Sequence, residues 1–441
     1  KHNKITTNIL DYIEPEIITV ESIEEEGGDD NYDVELLFML DKTFENADRG
    51  FSIEFSMDQG FDNEINTLLN DEENRSTEFE DDHADLDIDL SYKHPLSETS
   101  QMEFGYDGRM TSNINFMNFD LENLGVAINT FKYNRDLHGF FLEYETHLSE
   151  QVSIKPSIRY EYIDKEITFS STFDGAQNDD SIFDDLIENA QDDSPYIENF
   201  GAFYPNFHLT YKFGGGENKS SDTGDTASFS SETKSYQKSI QFGVSKRVNR
   251  PGGGGRGHGS WQIMPFPRNI YNDQFIFVGN PFLEPEYSTQ YDIKYSTPIP
   301  MGFASLNIFY HELENKIEWY DDESYPGANV LTFRNAEKAY TRGIGFFTVL
   351  MGQVLGGTYS STEVIDSENP DDYELNESSE FFNIYSQIRL PEEFIKLFDF
   401  EFGLYWMKIK LPSGSMFGNQ GTAWADLGIS KKIMNKRLTA S

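Results

Sequence analysis

The sequence predicts an all-β fold, a transmembrane antiparallel up-and-down β-barrel. Three observations predict it. Segments with one apolar and one polar face recur along the chain, about 15 in all, many near the 9–11 residues that a tilted membrane strand needs. The links between them alternate in length. Short ones at 94–100, 148–151 and 297–302 separate long polar ones at about 59–82, 109–126, 164–203, 248–287, 313–330 and 363–379. Membrane barrels have short turns at one end and long loops at the other, whereas a soluble sandwich has no reason to segregate them. Finally, no apolar run approaches the roughly 20 residues of a membrane helix, yet 15% of residues are aromatic. The mean hydropathy of −0.58 fits a barrel, because only alternate strand residues face lipid and the loops are polar.

Taken in order, residues 1–32 are poorly periodic and acidic, and they read as an irregular segment suited to an extracellular loop. The barrel is expected over 33–441. Strands are read at 34–40, 51–58, 85–92, 101–108, 137–148 and 152–164. The stretch 85–92 is the purest: Leu86, Ile88, Leu90 and Tyr92 oppose Asp85, Asp87, Asp89 and Ser91. In 152–164, Val152, Ile154, Ile158 and Tyr160 oppose Ser153, Lys155, Ser157 and Arg159. Two further strands, 207–213 and 239–248, flank a low-complexity insert at about 214–235, placed where a short turn is expected. A long loop and a strand at 289–295 follow, then six more strands to the C-terminus. In a barrel the apolar rows face lipid and the polar rows face the lumen. In a sandwich they would face a core and water, and alternation alone does not separate the two.

Composition narrows the function. The chain has 441 residues and a formal charge of −43, which repels a phosphate backbone and excludes nucleic acid as a partner. It has no cysteine, so disulfides and thiolate metal sites are impossible. The eight histidines are scattered and form no metalloprotease motif. There is no nucleophile-elbow motif, and residues 252–259 are glycine-rich without the Lys-Ser/Thr ending of a phosphate loop. No catalytic residue and no cofactor is predicted. Calcium held by Asp179, Asp180, Asp184 and Asp185 in an acidic loop is the one metal expectation, set against a plain solvated acidic loop.

Three runs carry a family resemblance: SKRVNRP from Ser245, MPF from Met264 and VGNPFLEPEYS from Val278. They resemble the series found in one extracellular loop of TonB-dependent receptors of the Bacteroidetes type, an outer-membrane β-barrel family. FRNAEKAYTRGIG from Phe333 resembles the segment that follows in the same family. The motif residues are Asn249, Arg250, Pro251, Pro265, Phe266, Gly279, Asn280, Pro281, Pro285 and Glu286. The chain departs from the pattern at Met264, where Asn is usual, and in its glycine-rich link at 252–259.

The resemblance implies location in the bacterial outer membrane and uptake of a solute through a barrel of about 22 strands, a width that requires a plug. The implied partners are the outer-membrane bilayer, TonB reached through a plug not recognisable in this chain, and a surface lipoprotein. On that reading the plug precedes Lys1, and strands are missing at both ends. The alternative function is a structural or docking barrel of a surface or secretion complex. Arg109, Lys155, Arg159 and Arg247 are candidate lumen-facing charges, there to contact an anionic solute or to balance lumenal carboxylates.

Overall fold

A computed structural model describes the chain except residues 1, 14–15, 45–47, 70–73, 122–124, 176–193, 215–236, 253–259, 267–274, 323–328, 366–377, 391–398, 412–419, 434–437 and 441. Eighteen strands form β1 (His2–Ile13), β2 (Glu16–Thr43), β3 (Gly50–Leu69), β4 (Asn74–Pro95), β5 (Ser100–Leu121), β6 (Gly125–His147), β7 (Val152–Gly175), β8 (Tyr196–Phe213), β9 (Lys238–Asn249), β10 (Phe275–Phe277), β11 (Glu286–Ile299), β12 (Gly302–Asp322), β13 (Asn329–Leu350), β14 (Gln353–Ile365), β15 (Ser378–Leu390), β16 (Asp399–Lys410), β17 (Gln420–Ile433) and β18 (Leu438–Ala440). Each strand of the meander pairs antiparallel with the next. Among the described residues only β10 lies outside the meander, pairing parallel with β13. The helical structure among the described residues is one short 3-10 turn at Ser260–Gln262.

Every one of the fifteen strands read from alternation is present. The additions are β1, β10 and β18. The irregular segment expected over 1–32 is strand in its described residues: His2–Ile13 pairs antiparallel with Glu16–Gly28, and β2 continues without a break to Thr43. A backbone ladder needs no apolar face, so pairing runs on where the side-chain pattern is silent. The same correction applies to several long links. Residues 59–69 and 74–82 are strand, as are most of 109–126. Strands such as β7, of 24 residues, therefore extend well beyond the span a bilayer requires.

The two faces settle the choice between barrel and sandwich. Large apolar residues stand exposed in rows on one face: Phe140 at 53%, Leu142 at 45%, Phe203 at 61% and Ile308 at 52%. A soluble sandwich would bury these rows in its core, and contiguous exposed apolar surface of this extent calls for a lipid solvent. Leu86, Ile88, Leu90, Val152, Ile154, Ile158, Phe242, Val244, Phe400 and Phe402 belong to this outward set by register. Aromatic pairs brace it across strands, with Tyr106–Phe140 at 5.2 Å and Tyr160–Phe203 at 4.9 Å between ring centroids. The opposite face is polar and internally bonded. Arg109 donates to Asp87 at 2.7 Å and Thr111 to Asp85 at 2.7 Å.

The short-link end is built of tight turns. Between β13 and β14, Met351 and Gly352 both take positive φ, at 52° and 77°. This is the two-residue hairpin geometry whose twist matches the flanking strands, and it favours glycine. Gly352→Ala is expected to cost about 1–2 kcal/mol, since a Cβ in the left-handed region meets the following carbonyl. A lowered denaturant midpoint for barrel unfolding in vesicles checks this.

Candidate functional site

Towards the long-link end, the inward rows change character. On β5 the lumenal residues run Asp107, Arg109, Thr111, Asn113 and Asn115, then turn apolar at Met117 and Phe119. Phe79 on β4, Phe131 and Tyr133 on β6, and Ile167 and Phe169 on β7 share this level, all buried. An apolar row inside a lumen is stable only against an apolar partner. The partner is the segment joining β9 to β11. Its Ile263, Met264, Phe266 and Leu283 enter the same buried cluster, together with Phe333 from β13. The loop therefore folds inward against the barrel wall.

The family motif is what seats it. Val278 N–H donates to the Leu331 carbonyl at 3.0 Å, Gly279 N–H to Met264 O at 2.8 Å and Asn280 N–H to Gln262 O at 2.9 Å. The Asn280 side chain donates to Phe333 O at 2.9 Å and accepts from Phe282 N–H at 2.9 Å. Glu284 exchanges two hydrogen bonds with Asn335, at 2.8 and 3.0 Å, and Glu286 accepts from Ile317 N–H at 3.1 Å. Pro251, Pro265, Pro281 and Pro285 are buried. The two motif segments, 278–288 and 333–345, thus meet in space. Trp261 and Phe277 stack into a group with Trp319 and Phe333 at centroid distances of 4.2–5.8 Å. Phe266 instead packs on Phe169 at 5.7 Å, and Phe282 meets Tyr196 edge-on at 6.0 Å. Trp261 and Phe277 thus pack on each other and on the wall, Phe266 buries against the wall, and Phe282 stays exposed.

Beneath the loop lies a cavity of about 420 Å³, walled by β5, β6, β7 and β9 and roofed by Arg250 and Gln262. Arg159 donates to Glu161 at 2.5 Å and to Asp107 at 2.7 Å. Arg250 pairs with Glu161 and donates to Tyr204 Oη at 3.3 Å. Arg109 is held by Asp87. Arg135 also lines the cavity. It is 5% exposed, its Nε has no partner, and it forms no ion pair among the described residues. Its guanidinium lies 5.9 Å from the Tyr133 ring centroid. A second cavity of about 480 Å³ shares Arg159, Glu161 and Arg250 and adds Lys155, His208 and Arg247.

Of the four predicted lumenal cations, Arg109 and Arg159 line the first cavity and Lys155, Arg159 and Arg247 the second. Lys155 pairs with Glu143 at 2.7 Å. Three of the four are thus balanced by carboxylates, and Arg247 forms no ion pair among the described residues. Arg135 is a residue the sequence reading missed. Its only signal was parity, since it falls in phase with the inward Phe131 and Tyr133. Arg250 was read as a loop marker, not as a charge. The carboxylates proposed for calcium, at 179–185, and the insert at 215–235 lie outside the described residues. Asp33, Asp58 and His83 come within ligating distance of one another, an arrangement exposed acidic groups often reach without an ion. Above the bilayer, burial raises the Glu318 carboxyl, while Lys316 and Arg334 pull it down.

A family model described as the outer membrane protein beta-barrel family matches residues 42–221 and 226–441. The chain belongs to that family. Its place is the bacterial outer membrane, with the β-barrel crossing the bilayer. The ferric yersiniabactin uptake receptor FyuA from Yersinia pestis has a similar fold, with a TM-score of 0.52 at 11% identity over 93% of this chain and 54% of that one. This chain thus spans about half of FyuA's length. The alcaligin outer membrane receptor FauA from Bordetella pertussis matches at a TM-score of 0.42 and 12% identity, over 97% of this chain and 75% of that one. The hemophore receptor HasR of Serratia marcescens matches at a TM-score of 0.46 and 9% identity, over 98% and 70%. No curated protein matches the sequence.

Proposed function

We propose that this family member is the barrel of an outer-membrane uptake receptor, energised by TonB through a plug domain. The observation that carries the proposal is the lumenal cavity roofed by an inward-folded loop. A docking barrel has no need of a charged, satisfiable pocket on the polar face of its wall. Pockets of a few hundred Å³ lined by convergent polar groups are the usual form of a small-molecule site. The ferric yersiniabactin uptake receptor FyuA has a similar architecture, which agrees with the proposal.

Comparing cells with and without the gene tests it. Medium depleted by each strain is profiled by mass spectrometry, with and without a protonophore. The expected result is one solute class removed only by cells that carry the gene and retain a proton gradient. Identical profiles under nutrient limitation would remove the uptake reading and leave the docking barrel.

A further inference from the structure

We propose that the cavity under the loop binds a small anionic solute, a carboxylate or phosphate, with Arg135 as its anchor. This rests on the uptake reading and names the substrate class of the same site. The argument is one of charge and burial. Four guanidiniums gather here: Arg109, Arg135, Arg159 and Arg250. The lining itself holds two carboxylates, Asp107 and Glu161, and Asp87 outside it pairs with Arg109. Among the described residues no carboxylate pairs with Arg135, which is also the most deeply buried of the four. An unpaired buried charge is strongly unfavourable unless a counter-ion and hydrogen bonds satisfy it. A guanidinium cannot escape by losing its proton, so the counter-ion has to come from elsewhere.

Unsatisfied donors cluster at the same place. Among the described residues the Nε atoms of Arg135 and Arg250, both of which line the cavity, have no hydrogen-bond partner. Guanidinium forks match the paired oxygens of carboxylate and phosphate, which is why the anion class follows from the residue type. The cavity's 420 Å³ suits a small molecule. The sign is also unusual for this chain. A local surplus of positive charge inside a protein of formal charge −43 focuses small anions, while the surrounding carboxylates disfavour polyanions. Arg250 is the residue at which β9 gives way to the loop, so the seating of the loop and the completeness of the site are linked.

Calorimetric titration of the intact protein in detergent, with citrate and separately with inorganic phosphate, tests the proposal. Saturable binding of at least one anion is expected, weakening as chloride rises. Arg135→Met should weaken it at least tenfold. Asp107→Asn should strengthen it several-fold, because one competing carboxylate charge is removed. Opposite signs separate a charge effect from misfolding, which would weaken both, and heat-modifiable migration on gels confirms folded barrels. No binding of either anion to the parent, as when a carboxylate from another part of the polypeptide fills the cavity, overturns the proposal. So does an Arg135→Met variant that binds as the parent does. Binding without uptake keeps the site and removes the transport reading. Uptake indifferent to both variants keeps transport and removes the site.

Discussion

Leu142→Arg is expected to destabilise the folded barrel by about 2–4 kcal/mol, the cost of a guanidinium at the bilayer midplane. Leu142 is on the outward row of β6, between Phe140 and Tyr144, and its cross-strand partners are Phe104 and Ile158. Every near neighbour on that face is apolar or aromatic, so no carboxylate is placed to receive the charge. Gln241→Arg on the lumenal face of β9 is the control, expected to stay within about 0.5 kcal/mol because water reaches it. Unfolding by denaturant in phospholipid vesicles measures both. Equal, small effects would mean that Leu142 faces water, and the membrane assignment of the rows would fail.

Gly279→Val has the second large effect, and it acts on the loop rather than the barrel. A Cβ at Gly279 would stand 2.4 Å from the Trp261 carbonyl and 2.5 and 2.7 Å from Met264 backbone atoms. These are backbone atoms in a hydrogen-bonded turn, so they cannot swing aside as a flexible side chain would. Overpacking of this kind costs about 1–3 kcal/mol. At the upper end of that range the unseated fraction of the loop rises roughly a hundredfold. Limited proteolysis should cut the loop readily while the barrel keeps its heat-modifiable migration. Trp261 fluorescence should shift to the red as its contacts with Phe277 and Phe333 open. A loop as resistant as the parent's would show that Gly279 does not seat it.

These two positions also mark what the sequence could and could not reveal. Rows such as Leu86, Ile88 and Leu90 were legible because lipid and lumen demand opposite chemistry from adjacent residues. Above the bilayer that contrast disappears. In β3 and β4, Asn63, Glu64, Glu78 and Glu80 place polar groups on both faces, yet the backbone ladder continues through them. Strand ends were therefore read as loops. Arg135 was lost for the same reason, because its outward neighbours Asn134 and Asp136 are polar too. Arg109, Lys155 and Arg159 were legible because they sit beside Gly108, Ile154 and Ile158, where parity still speaks. The motif series was legible as a signature, but its purpose was not. Asn280 meets Phe333, and Glu284 meets Asn335, across some fifty residues of chain. Nor did alternation foretell β10, three residues that pair parallel with β13 from within the loop.

The central claim is that the chain crosses the outer membrane with its long links and inward-folded loop outside. A chain with no cysteine allows a direct measurement, since each introduced thiol is the only one present. Asp120, at the long-link end of β5, and Ser149, in the short link after β6, are both exposed. Single-cysteine variants at the two positions are treated on intact cells with a membrane-impermeant maleimide. The account predicts that the residue 120 variant labels on intact cells, and that the residue 149 variant labels only after the outer membrane is breached. The reverse pattern, or equal labelling of both on intact cells, would contradict it.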